Sequence, residues 1–138
     1  MSEHTFEVRA VGRVTSSLTD PATAPKMGDE DAPDAWIELD DDVADAAAEL
    51  APGDEVVVLT WLHRAARDVL RVHPRGEEAN PERGVFTTRS PARPNPIGLH
   101  RVRVLAVEGL RLRVAGLEAV DGTPVVDIKS VRRDAVDD

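Results

Sequence analysis

A stretch of sixteen residues, 84–99, carries side chains that suit an anionic or planar ligand. It holds three prolines, two glycines and the polar side chains Arg89, Arg93 and Asn95. Each proline fixes φ and removes a backbone donor, and the residue before it is driven toward extended geometry, so the stretch is stiff. A stiff loop presents forked guanidinium groups in fixed directions, as carboxylates, phosphates and stacked rings require. By residue types alone, a rigid connector with solvated arginines is an equally good interpretation.

Three more positions carry groups that could take part in binding or catalysis. Asp121 opens the turn Asp121-Gly122-Thr123-Pro124, where its carboxylate could accept hydrogen bonds from a ligand or could serve the turn alone. His63 and His73 stand at the ends of predicted strands and could move a proton. A strand-end histidine with a structural hydrogen bond is an equally good interpretation of both.

Several kinds of site are excluded by what the sequence lacks. It has no cysteine, which rules out disulfides, thiolate catalysis and zinc–thiolate sites. It has no glycine-rich dinucleotide fingerprint, no phosphate-binding P-loop and no histidine spacing typical of zinc ligands, so we expect no metal. Serine and histidine are present, but no nucleophile-elbow motif marks a catalytic serine.

The net charge of −9 conceals a division along the chain. Residues 1–61 carry three basic and fifteen acidic side chains, residues 62–113 carry eleven arginines and five acidic side chains, and residues 114–138 carry three basic and six acidic ones. This division allows one basic face on an acidic molecule. Arginine forks suit phosphates and stacked bases, but a GC-rich genome or a salt-adapted host would produce a similar composition.

The length of 138 residues suits one domain with its own core. No apolar run reaches the length that crosses a membrane, and the first four residues lack the charged-then-apolar pattern of a secretion signal. We therefore expect a soluble cytoplasmic protein with a single domain, residues 1–138, and a flexible acidic tail from about residue 130.

Alternating apolar and polar residues predict short strands as the main elements of the chain. The predicted strands are residues 6–14, 35–39, 55–62, 70–73, 99–107, 110–114 and 125–129, and residues 85–88 are predicted to be extended. Three aspartates at 40–42 could cap a helix over about residues 43–50. Tight turns at 108–109 and 121–124 join neighbouring strands, the first of them in a hairpin. These elements predict a mainly β fold, a small single-domain antiparallel β-barrel with one or two short helices.

The order of the residues, beyond their types, resembles one known family over about residues 8–129. The two most specific runs are Arg-Ser-Pro-Ala-Arg-Pro-Asn-Pro-Ile-Gly at 89–98 and Asp-Gly-Thr-Pro-Val-Val-Asp-Ile-Lys at 121–129. The shorter runs are Val-Gly-Arg-Val at 11–14, Ala-Pro-Lys at 24–26, Trp-Leu-His-Arg at 61–64 and His-Pro-Arg-Gly at 73–76. Together these motifs resemble the TrmO/TsaA-like family, also called YaeB-like or VirR-like.

This resemblance implies a function. Members of the family are S-adenosylmethionine-dependent methyltransferases built on a small β-barrel, and they methylate the N6 nitrogen of N6-threonylcarbamoyladenosine beside the anticodon of tRNA. They work as homodimers, with the cofactor near the subunit contact. The resemblance therefore implies an enzyme with S-adenosylmethionine as cofactor, tRNA as substrate and a second copy of the chain as partner.

The resemblance also implies which residues contact the cofactor. The family's contacts fall here on Pro25, Lys26, Met27, His63, Arg64, Arg89, Leu99, Asp121, Gly122, Thr123 and Pro124. In such a site Arg89 or Arg64 could pair with the cofactor carboxylate through a guanidinium fork, and Asp121 could accept from the ribose hydroxyls or the ammonium. Backbone groups of Leu99 and of the 121–124 turn could hold the adenine.

The residues that contact the substrate are less well defined. Arg93, Asn95 and Lys129 could bind phosphates and the substrate carboxylate, helped by the arginines within residues 101–113. Those last arginines could equally be a solvated face with acidic partners across the strands. Trp61 or Phe86 could stack on a base.

A base for the substrate nitrogen is not assigned by the sequence. Methyl transfer needs the nitrogen about 3 Å from the methyl carbon and in line with the breaking bond, so much of the catalysis could be positioning. Asp127, His63 and His73 are the candidates for removing the nitrogen proton.

The chain departs from the family at three places. Met27 stands where many members have a glutamine, Ser130-Val131 follows Lys129 where Pro-Tyr is usual, and the sequence stops at residue 138, short of the C-terminal domain of longer members. That domain is expected to help hold tRNA, so we expect the differences to affect substrate identity more than cofactor binding. Two alternatives stay open: the same cofactor site acting on a small molecule or another RNA, and a non-catalytic module that binds the cofactor or RNA.

Overall fold

The computed structural model describes residues 4–20, 32–74, 77 and 79–131, and strands are the main elements of this part of the chain. The strands are β1 (Gly12–Thr15), β2 (Ala35–Leu39), β3 (Glu55–Trp61), β4 (Arg71–Val72), β5 (Arg83–Gly84), β6 (Ile97–Glu108), β7 (Arg111–Val114) and β8 (Pro124–Ser130). Six of them pair in the order β1-β2-β7-β6-β3-β8, and β4 pairs with β5 in a small separate sheet. All pairings are antiparallel, and β1 pairs with both β2 and β8, so the larger sheet closes on itself as a barrel. The expected mainly β, antiparallel fold is confirmed.

The first strand is the main exception to the predicted boundaries. The sequence predicts a strand over residues 6–14, but β1 begins at Gly12; Val11 just before it makes backbone hydrogen bonds to Val125 and Asp40, and Phe6 is 84% exposed. β2 ends at Leu39, and the chain then turns into a helix at Asp41. Within the described residues, no strand therefore lies beside the segment before Gly12 on its β2 side. The predicted strand is therefore wrong for residues 6–11, although their apolar–polar alternation is regular.

Two short helices in the described part of the chain are of the 3-10 type. The helix predicted over about residues 43–50 is a 3-10 helix over Asp41–Ala47, and the side chain of the preceding Asp40 makes no capping hydrogen bond. A second 3-10 turn, Val85–Thr87, replaces the extended segment predicted at 85–88. There the Thr88 amide and hydroxyl both donate to the Val85 carbonyl, at 3.0 and 2.9 Å, and these two hydrogen bonds close the turn.

Small aliphatic side chains fill the barrel. The buried core includes Val14, Ile37, Val56, Val58, Val102, Val104, Leu112, Val114, Leu117, Ala119 and Val125. On β6, Val102 and Val104 face inward while Arg101 and Arg103 face outward, as the sequence predicts. The loop after β7 sends Leu117 into the same core, which anchors this loop to the barrel.

One rim of the barrel gathers the loops that carry the motifs. β1 and β3 end at this rim while β6 and β8 begin there, as the pairs Arg13–Pro124 and Trp61–Ile97 show. The chain therefore leaves β1 and β3 at this rim and re-enters β6 and β8 at the same rim. We call it the loop rim. The predicted turns at 108–109 and 121–124 are present, with positive φ at Gly109 and Gly122.

Residues 130 and 131, at the predicted start of the tail, still take part in backbone hydrogen bonds or strand structure. Ser130 is still part of β8, and the Val131 amide donates to the Glu55 carbonyl at 3.0 Å. The rest of the predicted tail, residues 132–138, lies outside the described residues. Within the described part of the chain, no helix has the length and apolar character needed to cross a membrane.

Candidate functional site

The turn at Asp121 and the segment at Arg64 meet on the loop rim. The Asp121 amide donates to the Leu18 carbonyl at 2.6 Å, and Arg64 Nη1 donates to the Thr19 carbonyl at 2.9 Å. The Asp121 carboxylate accepts from the Ser16 amide at 3.0 Å. The chain that follows β1 therefore holds two segments that are far apart in the sequence side by side.

The 121–124 turn has a backbone shape that favours glycine. Gly122 has a φ of 83°, and its amide donates to the Val14 carbonyl at 2.7 Å. Thr123 is buried, and its hydroxyl donates to the Val120 carbonyl at 2.7 Å. Asp121 is exposed, and a carboxylate has acceptor sites beyond the one that Ser16 uses, so Asp121 can still accept from a ligand.

Arg89 and Leu99 meet at an edge of β6. This strand pairs with β3 from Ile97 to Arg103, but with β7 only from Val104 to Glu108. Among the described strands none pairs with the first half of β6 on its β7 side. Arg89 Nη2 reaches this open edge and donates to the Leu99 carbonyl at 2.6 Å. The edge thus presents backbone polar groups beside a guanidinium.

Arg93 and Asn95, predicted to contact the substrate, make hydrogen bonds within the protein. The Arg93 guanidinium donates to the carbonyls of Val85 and of Thr88, the latter at 3.0 Å. Asn95 Oδ1 accepts from Arg67 Nη2 at 3.1 Å. These hydrogen bonds shape the loop, and a direct substrate contact by either residue stays a prediction.

Arg67 also belongs to this region, although it is not among the predicted site residues. Its Nε donates to the Pro94 carbonyl at 2.8 Å, and its guanidinium lies 5.0 Å from the centre of the Trp61 ring. A cation over an aromatic face is favourable by about 0.5–1 kcal/mol at an exposed site. Arg67 therefore ties the 89–98 loop to the end of β3 and covers one face of the Trp61 ring. No motif spacing marks Arg67, because only the fold brings it to Pro94.

The two candidate histidines lie in different surroundings. His63 is exposed at the loop rim, next to Arg64 in the chain. His73 is half-buried, and its Nδ1 lies 2.9 Å from the Asn80 carbonyl oxygen. A carbonyl oxygen only accepts, so Nδ1 of His73 carries the hydrogen and this histidine has a structural bond.

Asp127 and Lys129 lie on the outer face of β8. Asp127 is opposite Leu59, which is itself opposite Leu99, so two strand spacings or about 10 Å separate the backbones of Asp127 and Leu99. Lys129 is opposite Val57 and exposed. Both residues face the outside of the barrel rather than the loop rim.

The arginines of β6 and β7 are mostly paired with acidic side chains. The pairs are Arg101–Glu55 at 3.0 Å, Arg113–Asp34 at 3.5 Å and Arg111–Glu38 at 3.8 Å. Arg111 also lies over the Trp36 ring, 4.2 Å from its centre. These contacts support the interpretation of a solvated face with acidic partners over that of free phosphate-binding groups.

The remaining predicted contacts, Pro25, Lys26 and Met27, lie outside the described residues. The other predicted cofactor residues, His63, Arg64, Arg89, Leu99 and 121–124, lie at or beside the loop rim. Among the residues that the structure describes, no group of three or more histidine, aspartate and glutamate side chains is placed to hold a metal ion.

The chain is similar to curated proteins along most of its length. A probable S-adenosyl-L-methionine-binding protein of Methanothermobacter thermautotrophicus is 44% identical over 134 residues, which cover 97% of this chain and 96% of that protein. An S-adenosyl-L-methionine-binding protein of Archaeoglobus fulgidus is 45% identical over 122 residues, which cover 88% of this chain and 86% of that protein.

The fold is similar to solved structures of TrmO. A crystal structure of TrmO from Pseudomonas aeruginosa matches with a TM-score of 0.75 and 30% identity over 99% of this chain. The present chain spans 61% of the length of that protein. The sequence pattern of the tRNA-methyltransferase O N-terminal domain matches residues 13–135. The chain therefore belongs to the family of the tRNA-methyltransferase O N-terminal domain.

Proposed function

We propose that this chain is an S-adenosylmethionine-dependent methyltransferase acting on the N6 nitrogen of N6-threonylcarbamoyladenosine beside the tRNA anticodon. Two contacts beside the loop rim carry the proposal: the Asp121 turn and Arg64 bind the adjoining carbonyls of Leu18 and Thr19, and Arg89 binds the Leu99 carbonyl. Family membership supports the methyltransferase class, and the names of the archaeal relatives support the cofactor. The choice of substrate atom rests on the motif resemblance.

The side chains at the loop rim fit the charges of this cofactor, which carries a carboxylate, an ammonium, a ribose and an adenine. Toward the described residues, Arg64 and Arg89 each donate one of their five N–H groups, so both can offer a fork to the carboxylate. The exposed Asp121 carboxylate can accept from the ammonium or the ribose hydroxyls. The open edge at Leu99 can bind the adenine. When bound, the cofactor supplies an electrophilic methyl group.

The residues of this chain contribute mainly by positioning. The 89–98 loop is stiffened by its prolines and fastened by Arg93, so Arg89 has a fixed direction. Holding the reacting groups in near-attack geometry can supply several kcal/mol of the barrier, about 7–11 in favourable cases. His63 is the base that the geometry favours, because it is exposed at the loop rim, whereas His73 is bonded to a backbone carbonyl and Asp127 lies on the outer face.

A homodimer formed through the outer face of β3 and β6 is part of the proposal. Val57, Leu59 and Trp61 point outward on β3, and Ile97 and Leu99, 47% and 49% exposed, stand beside them on β6. A second copy would cover this apolar face and approach the open edge at Leu99. Ile97→Asp is expected to convert a dimer to a monomer in light scattering. A wild-type chain that is monomeric at all concentrations would contradict the dimer.

The ion pairs of β6 and β7 favour a second candidate function. Arg101, Arg111 and Arg113 have acidic neighbours, which leaves fewer free cations for the phosphates of a large RNA. The same cofactor site could then serve the methylation of a small molecule or of another RNA, or a module that binds without catalysis.

Calorimetric titration with S-adenosylmethionine, followed by methyl transfer to bulk tRNA, tests the proposal. Arg64→Ala is expected to weaken cofactor binding about tenfold or more, since a charge-assisted fork is lost. Arg9→Ala, which removes an exposed arginine paired with Asp42 at 3.0 Å, away from the loop rim and from the outer face of β3 and β6, is the matched control and should leave the affinity unchanged. Methyl transfer only to tRNA that contains N6-threonylcarbamoyladenosine supports this nucleoside as the substrate. Binding without transfer favours the second candidate, and the absence of binding refutes the cofactor site.

A further inference from the structure

Three side chains in the barrel interior form a hydrogen-bonded chain that the proposed function does not use. His100 Nε2 lies 2.7 Å from Thr60 Oγ1, and His100 Nδ1 lies 2.6 Å from Glu118 Oε1. Thr60 is fully buried, and the side chains of His100 and Glu118 are 5% and 12% exposed. Buried polar groups are costly when they lose a partner, so the three side chains depend on one another.

The chemistry of the partners sets the direction of these hydrogen bonds. The Glu118 carboxylate accepts, so Nδ1 of His100 carries a hydrogen, and in the neutral imidazole Nε2 then accepts from the Thr60 hydroxyl. A hydroxyl, an imidazole and a carboxylate in this order also form nucleophilic triads. Thr60 is closed to any substrate because none of its surface is exposed. A positional role therefore fits this arrangement and a nucleophilic role does not.

His100 acts on the backbone at the open edge of β6. The carbonyl that accepts from Arg89 belongs to the peptide group that joins Leu99 to His100. Arg89 therefore holds this peptide group from outside the barrel, while the two bonds to the His100 ring hold the following residue from inside. These contacts therefore act on two adjacent residues of β6, in addition to the pairing of the strand with β3.

The other two side chains connect the same strand with the 121–124 turn. Thr60 is opposite Gly98 on one side and opposite Val125, just after the turn, on the other. Glu118 lies in the loop that runs from β7 into the turn. The hydrogen-bonded chain thus joins the strand that carries Leu99 to the loop that leads to Asp121.

Gly98 leaves the space that this arrangement needs. A Cβ at this position would lie 2.4 Å from Thr60 Oγ1 and 2.7 Å from His100 Nε2, closer than such atoms approach. Gly98, which ends the 89–98 motif, therefore makes room for side chains in the barrel interior. Arg89, which starts the motif, binds the Leu99 carbonyl from outside the barrel.

We propose that His100, held by Thr60 and Glu118, is a positioning residue that keeps the Leu99 backbone and the 121–124 turn in the relative placement needed for S-adenosylmethionine. The ligand named here rests on the proposed function, but the coupling between the two segments does not depend on any ligand.

Thr60→Val is the sharpest variant, because valine keeps the shape of threonine and removes the hydroxyl that donates to His100. We expect the cofactor dissociation constant to rise about tenfold. Thr60→Ser restores the hydroxyl and should return the affinity to within about twofold of the wild type. Glu118→Ala removes the other partner of His100 and should give the same change in affinity as Thr60→Val. It is the alternative test if Thr60→Val does not fold.

Val104→Ala is the matched control, because Val104 is fully buried on the same face of β6 but pairs with Val114 away from the three side chains. At a temperature where every variant is folded, it should lower thermal stability without changing cofactor affinity. Equal effects of Val104→Ala and Thr60→Val on affinity at equal loss of stability would overturn the inference, since the role would then be merely structural.

Amide hydrogen exchange without ligand separates this inference from the proposed function. In Thr60→Val, amides of residues 97–101 and 117–123 should exchange about tenfold faster, while Val104→Ala should not single out these two segments. If this pattern is found but the wild type does not bind the cofactor, the proposed function fails and the coupling stands. If the wild type binds and Thr60→Val changes neither affinity nor exchange, the coupling is refuted.

Discussion

The Asp121 amide and the Arg64 guanidinium donate to neighbouring carbonyls, those of Leu18 and Thr19, at 2.6 and 2.9 Å. One short segment after β1 therefore sets the spacing of an exposed carboxylate and an exposed guanidinium on the loop rim. Opposite charges held in this way complement a ligand that carries both an ammonium and a carboxylate. The geometry suits the amino-acid end of the proposed cofactor.

Asp121→Asn separates the charge of this residue from its role in the turn. Asparagine keeps an oxygen that can accept from the Ser16 amide, so we expect the free energy of unfolding to change by less than about 0.5 kcal/mol. Cofactor affinity should fall about tenfold or more, because the ammonium or ribose loses an ionised acceptor. Calorimetric titration and thermal denaturation measure the two effects. Unchanged affinity would mean that Asp121 is only a turn residue.

Gly122→Ala tests whether the shape of the 121–124 turn matters for binding. Gly53 is its control, because both glycines have a positive φ, 83° and 96°, and neither has an atom within 4 Å of an added Cβ. Alanine should destabilise the fold by about 1–2 kcal/mol at either position through backbone strain alone. Only Gly122→Ala should also weaken cofactor binding. Loss of binding in Gly53→Ala, at the opposite rim, would contradict a local role for the turn.

Gly98→Ala should be among the most damaging small substitutions in the chain. The added Cβ would meet Thr60 Oγ1 and His100 Nε2, so we expect a loss of about 2–4 kcal/mol in the free energy of unfolding. Gly84→Ala is the control, since that position has a φ of −63° and open space around the added atom. It should be neutral or stabilising by up to about 1 kcal/mol. Equal denaturation midpoints for the two variants would refute the packing argument.

tRNA binding should weaken as salt concentration rises, because neutralised phosphates release counterions. Lys129→Ala should reduce the slope of log affinity against log salt by about one if this exposed lysine contacts a phosphate. Arg113→Ala should change the slope less, because Arg113 lies 3.5 Å from Asp34. Filter binding across a salt series gives both slopes. A slope near zero in the wild type would point to the second candidate function.

His63→Gln tests the proposed base. Loss of a general base should lower kcat about a hundredfold, while substrate KM changes little. Asp127→Asn, on the outer face of β8, should leave kcat unchanged. Single-turnover methyl transfer with saturating cofactor measures the chemical step. A large loss of kcat in Asp127→Asn and none in His63→Gln would transfer the role to Asp127.

The local sequence pattern was sufficient to predict which face of a single strand is buried. The alternation of Val102 and Val104 with Arg101 and Arg103 predicted which side of β6 is buried, because successive side chains of a strand point to opposite faces. Gly109 and Gly122 marked turns because glycine tolerates a positive φ, and both residues have one in the structure. The same alternation failed at residues 6–11, where no described strand on the β2 side is left to pair with the chain.

The sequence by itself determined the strand-rich fold class, the two specific motifs and, through them, the family. The tertiary structure alone decided that Arg64 and Asp121 both bind carbonyls of the segment after β1. It also decided that Arg93 makes hydrogen bonds to its own loop and that His100 links Thr60 to Glu118. These contacts link residues far apart in the chain and depend on the register of the closed sheet. A shift of one residue in that register would turn every inward side chain outward, and no local pattern specifies which distant residues then meet.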